Sequence, residues 1–298
     1  MDYKRIAVLS LIILLALFAC KGKADGDNES DQYTPKEEYS EEPEDTTLEE
    51  PAPNTDQSPL KAYKYTWSED DDMPPVVIII DDFGNSAGKL LEEFADLPDE
   101  VVFAVLPDLP HTETAAKLAH RKGHEVIIHV PMQAEGNSVS PGKKYIKAGM
   151  PESDIKEIMA DFIAQMPMAI AANNHMGSAA TANRETMNSV LHELKQNGLF
   201  FIDSATTSKS AVFTAASELG VFSTRRDIFL DVPDVTDATI ISKIESLGKY
   251  KGRKEPVIII SHCHNNDKLQ AMKKFIAQIE DMGIKIKSLK KAFPEANV

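Results

Sequence analysis

Val76-Val77-Ile78-Ile79-Ile80-Asp81-Asp82-Phe83-Gly84 is the stretch that decides the fold. Five β-branched residues in a row, bounded by Pro74-Pro75 and Gly84, read as a short strand buried on both faces, the signature of a parallel sheet. Working outward, helical patterns alternate with further apolar runs. Strands are expected at Val101 to Leu106, Glu125 to Val130, Ala169 to Ala172, Leu199 to Ile202, Val221-Phe222, Val257 to Ile260 and Ile284-Lys285-Ile286. Helices are expected around Lys89 to Phe94, Thr112 to Arg121, Ser153 to Met166, Asn183 to Gln196, Ala211 to Leu219, Asp237 to Leu247 and Lys268 to Met282. Such alternation over residues 76–298 calls for parallel strands joined by helical crossovers, which a closed barrel and an open doubly wound sheet satisfy equally.

In both architectures chemistry gathers at the carboxyl ends of the strands. Polar residues stand there repeatedly: Asp81-Asp82, His129, Asn173-Asn174-His175, Asp203, and His262 with His264. Aspartates and histidines without a cysteine cluster suit a divalent metal, zinc above all. A catalytic zinc takes three protein ligands and keeps one position for water. It lowers the pKa of that water toward ~7, and a nearby carboxylate and a second acid handle the protons. Asp203 reads as a partner orienting a histidine or as a cap of the next turn. Arg225-Arg226-Asp227 reads as a positioning ion pair, with Arg226 a candidate partner of Asp81 or a member of a structural salt bridge. His111, His120, His124 and His192 fall in loop or helix contexts and are expected at the surface or in packing. Cys263 is expected to be a small buried residue. Gly84 to Gly88 lacks the third glycine and the Lys-Ser/Thr pair of a phosphate loop.

Five segments occur in order: VVIIIDDFG (76–84), GHEVIIHVPM (123–132), NNHMGS (173–178), LFFIDS (199–204) and IIISHCH (258–264). Together they resemble the divergent polysaccharide deacetylase family, a branch of the NodB-homology carbohydrate esterases. The resemblance covers nearly all of 76–290. It implies an irregular seven-stranded (β/α) barrel and zinc-dependent removal of N-acetyl groups from an amino-sugar glycan, peptidoglycan or another N-acetylated polysaccharide. It also implies roles: Asp81 as general base, Asp82 and His129 as metal ligands, and His262 as general acid for the leaving amine. The superfamily places a second histidine ligand four residues after the first, where this chain has Gln133. His175 is the expected replacement, with Asn174 and His264 beside the site for support or substrate binding. The same departure at Gln133 supports an alternative, a catalytically inactive member that binds glycan or a cell-wall protein.

The charge distribution separates this domain from what precedes it. The chain has 298 residues and a formal charge of −15, but residues 21–75 hold five basic and seventeen acidic residues, a net −12. That stretch has almost no apolar periodicity and is expected to be a disordered, extended linker. The acidic balance argues against nucleic acid as a partner. Lys4-Arg5 followed by the apolar run Ile6 to Ala19 reads as a signal peptide, too short to span a ~30 Å hydrocarbon core. Leu17-Phe18-Ala19-Cys20 resembles a bacterial lipobox, with Cys20 the lipidated residue. The expectation is an exported protein, lipid-anchored to a cell-envelope membrane, its domain facing the periplasm or exterior.

Overall fold

The computed structural model of the protein describes residues 59–67, 72–136 and 139–296. Cys20, the expected signal peptide and most of the expected linker lie outside the described residues.

Eight strands form one all-parallel sheet: β1 (Val76–Phe83), β2 (Val102–Val105), β3 (Val126–Met132), β4 (Ala171–Met176), β5 (Phe200–Asp203), β6 (Ser223–Arg225), β7 (Ile228–Phe229) and β8 (Val257–His262). Their spatial order is β6-β5-β4-β3-β2-β1-β8-β7. The two edge strands are therefore neighbours in the chain, separated by Arg226 and Asp227 alone. The backbone N–H of Arg226 donates to Asp203 O on β5 (2.9 Å), and that of Asp227 donates to Ile258 O on β8 (2.8 Å). Residues 223–229 are thus one extended segment whose first half pairs with β5 and whose second half pairs with β8. The sheet curls until this segment joins its two ends. Counted by chain segments it is the expected irregular seven-stranded barrel, with the seventh segment split in two.

The alternation of each strand divides the core. Val77, Ile79, Val102, Ala104, Ile127, Ala171, Ile258 and Ile260 point into the barrel, where Leu289 and Phe293 join them. Ile78, Ile80, Phe103, Val105, Ile128 and Val130 point outward into a larger cluster beneath the helices. Both faces are dry, as successive side chains on a doubly covered strand require. Leu289 opens the short helix α9 (Leu289–Ala292), and its N–H donates to the carboxylate of Glu125 just before β3 (2.6 Å). That contact places an apolar plug at the amino end of the strands.

The crossover helices α2 (Lys89–Phe94), α3 (Thr112–Arg121), α4 (Glu152–Gln165), α5 (Arg184–Gln196), α6 (Val212–Leu219), α7 (Asp237–Leu247) and α8 (Asn266–Asp281) fall close to expectation. Three strand expectations need correction. The stretch expected at Ala169 to Ala172 runs on to Met176, because the chain turns only at Met176 and Gly177, both with positive φ. The strand at Val221-Phe222 lies two residues later, as β6. Ile284 to Ile286 makes a single bridge to Val76 rather than a strand.

The expected linker also contains a packed stretch. In α1 (Pro59–Ala62) Leu60 is buried, and Trp67 is buried with Nε1 donating to Ile244 O on α7 (3.1 Å). Gly248 follows that contact for a steric reason, since a Cβ there would sit 2.8 Å from Trp67 Cδ1. Burying a tryptophan and a leucine is the physical reason ordered packing begins before Pro75.

Candidate metal centre

The inward positions that are Val and Ile low in the barrel become polar at its carboxyl end. On β1 the inward series Val77, Ile79 continues to Asp81; on β3 Ile127 continues to His129; on β4 Ala171 continues to Asn173 and His175; on β8 Ile258, Ile260 continue to His262. The ladder register sets Asp81 beside His262 and His129 beside Asn173, so the four form one layer. Asp82 by alternation would point outward into the helices. Its φ of 73° falls where the pairing of β1 with β2 shifts register between Ile80 and Phe83, and this irregularity brings its carboxylate back to the site. Aspartate tolerates this left-handed conformation better than most residues.

Asp82, His129 and His175 converge. Asp82 Oδ1 lies 3.1 Å from His129 Nε2 and 2.9 Å from His175 Nδ1, and the two ring nitrogens are 3.2 Å apart. Three donors of a tetrahedral shell with bonds of ~2.0–2.1 Å stand ~3.3 Å from one another, close to this triangle. Asp82 Oδ1 is buried and accepts no hydrogen bond of good angle, although two ring nitrogens approach it. Nitrogens and oxygen aimed at a common point rather than at each other are what a bound cation asks of its ligands. The donor set and its geometry fit a zinc-type ion.

Neighbouring groups fix the ligand orientations. Asn173 Nδ2 donates to Asp81 Oδ1 (2.8 Å), so its carbonyl oxygen faces His129 Nδ1 (2.7 Å). A carbonyl only accepts, so His129 carries a proton on Nδ1 and presents Nε2 to the centre. His264 Nε2 sits 2.7 Å from Asp82 Oδ2. Across the site, Asp231 Oδ2 accepts from the His262 backbone N–H (3.1 Å) and faces His262 Nδ1 (2.9 Å), leaving His262 Nε2 for the cavity.

Electrostatics separate the two adjacent aspartates. Burial would raise the Asp82 carboxyl, but the close imidazoles of His129, His175 and His264 hold it well below the usual range. Burial raises Asp81, outweighing the opposing charges of His129 and His262. Burial alone would lower His129, yet the Asp81 charge and the Asp82 contact push it up to about 9. Burial would likewise lower His262; its bond to Asp231 and the charges of Asp82, Asp231 and Asp81 raise it instead. Asp231 itself falls to about 2, because the bonds and charges of His262 and Lys268 outweigh its burial. The pair Asp82 and Asp81 thus divides into a fixed anion and a proton acceptor, beside a histidine disposed to hold a proton.

Six expected residues, Asp81, Asp82, His129, His175, His262 and His264, come together. Three others stand apart from them. Asn174 is buried on the outward face, donating to Met176 O (2.7 Å) and accepting from Ser204 N–H (2.9 Å), so it ties β4 to the turn after β5. Asp203 accepts from Ala205 N–H (2.8 Å) and caps that turn rather than orienting a histidine. Arg226 donates to Ser204 O (2.7 Å) and Ala205 O (3.0 Å) and stacks on Phe229 at 3.6 Å, with no direct bond to Asp81. Gln133 is occupied elsewhere: its side-chain oxygen accepts from Ala148 N–H (2.9 Å), anchoring the loop after β3. His124 is a packing residue between Val101 O and Ala95 O, as expected. Asp231 and Lys268 are not among the polar strand ends of the sequence reading, and Asn173 stands among them without an assigned role. Alternation from Ala171 could have found Asn173; a two-residue β7 carries too little pattern to have found Asp231.

The barrel and its polar end define a class, an α/β protein of polysaccharide-deacetylase-like fold. The chain belongs to the divergent polysaccharide deacetylase family, whose description matches residues 78–293. It is 34% identical over 189 residues to the uncharacterized protein YibQ of Escherichia coli K12, covering 63% of this chain and 58% of that one. An uncharacterized protein of Haemophilus influenzae is 34% identical over 157 residues, covering 52% of this chain and 55% of that one. The chain thus spans less than two thirds of the length of the curated relatives it matches. A crystal structure of an uncharacterized protein from Agrobacterium tumefaciens C58 superposes with a TM-score of 0.63 at 20% identity, covering 78% of this chain and 94% of that one. That likeness bears on the fold alone.

Proposed function

We propose that this protein is a divalent-metal-dependent hydrolase that removes N-acetyl groups from an amino-sugar glycan. The observation that carries the reading is the Asp82, His129, His175 triangle, in which His175 from β4 stands in for the histidine absent at Gln133. The superfamily position lost at Gln133 was the reason to consider an inactive binding member. A complete set of three converging donors weakens that reason.

Asp82, His129 and His175 would hold the ion. When bound, the ion supplies Lewis acidity that polarises the amide carbonyl and eases deprotonation of water. The protein's own groups do the rest. Asp81, with its raised pKa and fixed by Asn173, takes the proton of the attacking water at its carboxylate. His262, kept protonated by Asp231, gives a proton from Nε2 to the departing amine. Domain export and lipidation at Cys20 belong to the same proposal and rest on the sequence alone.

The test is zinc binding and acetate release on purified protein with N-acetylglucosamine oligomers. The reading expects one tightly bound zinc in the wild type, lost in Asp82→Ala and in His175→Ala, with acetate release lost alongside. Zinc retained at full occupancy in both variants overturns the ligand assignment. A zinc-loaded wild type that releases no acetate from any N-acetylated glycan favours the binding-protein alternative.

A further inference from the structure

Lys268 stands in the first turn of α8, directly after the loop that carries His264. Asn265 caps that turn, its side chain accepting from the Lys268 backbone N–H (3.0 Å). The Lys268 side chain is 20% exposed, and its ammonium reaches two acceptors: His264 Nδ1 at 3.0 Å and Asp231 Oδ2 at 3.1 Å.

An ammonium has three donors and no acceptor. His264 Nδ1 must therefore accept, which leaves the ring proton on Nε2. That nitrogen is the one facing Asp82 Oδ2 at 2.7 Å, so it donates. With Oδ2 held in this way, Oδ1 is the oxygen presented to His129 and His175. The opposite tautomer would set a lone pair of His264 against a carboxylate lone pair, and the Asp82 side chain would lose its anchor. Through Asp231 the same ammonium also reaches the group that holds His262.

We infer that Lys268 is a positioning residue: it locks His264 in the Nε2–H tautomer, which aims Asp82 at the metal, and it couples that arrangement to the His262–Asp231 pair. The inference rests on the metal reading above, and its test separates the two.

Lys268→Met keeps the length of the side chain and removes the donor. Lys274→Met, which removes an exposed lysine of the same helix paired with Asp237 at 2.8 Å, is the control. Long-range proton–nitrogen correlation spectra of the metal-free protein report which His264 ring nitrogen carries the proton, and chelator competition reports zinc affinity. The expected result is Nε2–H in the wild type and a shift toward Nδ1–H in Lys268→Met. Zinc affinity should fall by about 10–100-fold there, the usual cost of losing a group that orients a ligand. Lys268→Arg, still a pure donor, should recover most of both, and Lys274→Met should change neither. An unchanged tautomer, or wild-type zinc affinity, in Lys268→Met overturns the inference. Should that variant not fold, His264→Phe carries the test with Lys268→Ala, which also removes the donor. The phenylalanine variant should lose the same 10–100-fold, and adding Lys268→Ala to it should cost nothing further. An additive loss overturns the coupling. If the tautomer shifts in Lys268→Met while wild-type protein binds no zinc, the lock stands and the metal reading falls.

Discussion

The two ends of the barrel are built from the same strands and the same alternation, yet they hold opposite chemistry. At the amino end the inward side chains are Val77, Ile127, Ala171 and Ile258, closed off by Leu289 and Phe293. Two to four residues further along the same strands the inward side chains are Asp81, His129, Asn173 and His262. The difference is one of environment more than of conformation. Low in the barrel an inward carboxylate would have no donor near it. At the top every inward polar group has a partner, Asn173 bridging Asp81 and His129, and Asp231 holding His262. Within the barrel the buried ionisable groups stand where partners complete the layer.

The sharpest way to break this contrast is to move a carboxylate down by one inward layer. Ile79→Asp places it among Val102, Ile258 and Ile260 with nothing to pair it. The carboxyl would escape the full charging cost by taking up a proton, but an unpaired buried polar group in place of a core isoleucine still removes several of the ~5–15 kcal/mol that hold a typical domain together, so the variant should melt far below the wild type by circular dichroism. A wild-type melting curve for Ile79→Asp would show that the lower barrel is wetter than its packing implies.

Asp81→Asn tests the upper layer with the opposite expectation. Acetate release should fall by ~10²–10⁴-fold, the usual contribution of a general base, while zinc stays bound. Because the folded state raises the Asp81 pKa, ionising it works against folding at every pH above its unfolded value. The neutral variant should therefore melt a few degrees higher, on the order of 2–4 °C per kcal/mol relieved. Lower melting together with retained turnover would move the base elsewhere.

Asn173→Ala removes the bridge within the layer and should lower zinc affinity by about 10–100-fold without touching a ligand. Equal affinity, measured by the same chelator competition, would mean that packing alone orients His129.

The smallest effect concerns pH. Asp231 raises the His262 pKa, so the proton needed by the departing amine persists to higher pH. Activity is then lost only as pH rises through the elevated value. In Asp231→Asn the alkaline limb of the rate profile should move toward lower pH. An unmoved limb would assign the acid to another group.

The pair Asn173-Asn174 shows how closely a site can be read from sequence and still be missed by one residue. Alternation from Ala171 sends Asn173 inward and Asn174 outward, and the local pattern carried that information. Asn174, expected beside the site for support or substrate binding, instead bonds Met176 O and Ser204 N–H on the outward side. Lys268 is a different case. In the sequence it is an ordinary basic residue in a helix, and only the docking of α8 onto β8 brings its ammonium between His264 and Asp231.

The amino-acid sequence by itself determined the parallel βα architecture, the strand ends at which chemistry would collect, and six of the residues that meet there. Hydrophobic period and strand-end polarity are local properties, written in consecutive residues. Tertiary structure decided that residues 223–229 close the barrel by pairing first with β5 and then with β8. It also decided that a left-handed backbone at Asp82 turns an outward position into the site, and that His175 rather than position 133 completes the triangle. Those outcomes depend on distances between segments far apart in the chain, which no local pattern encodes.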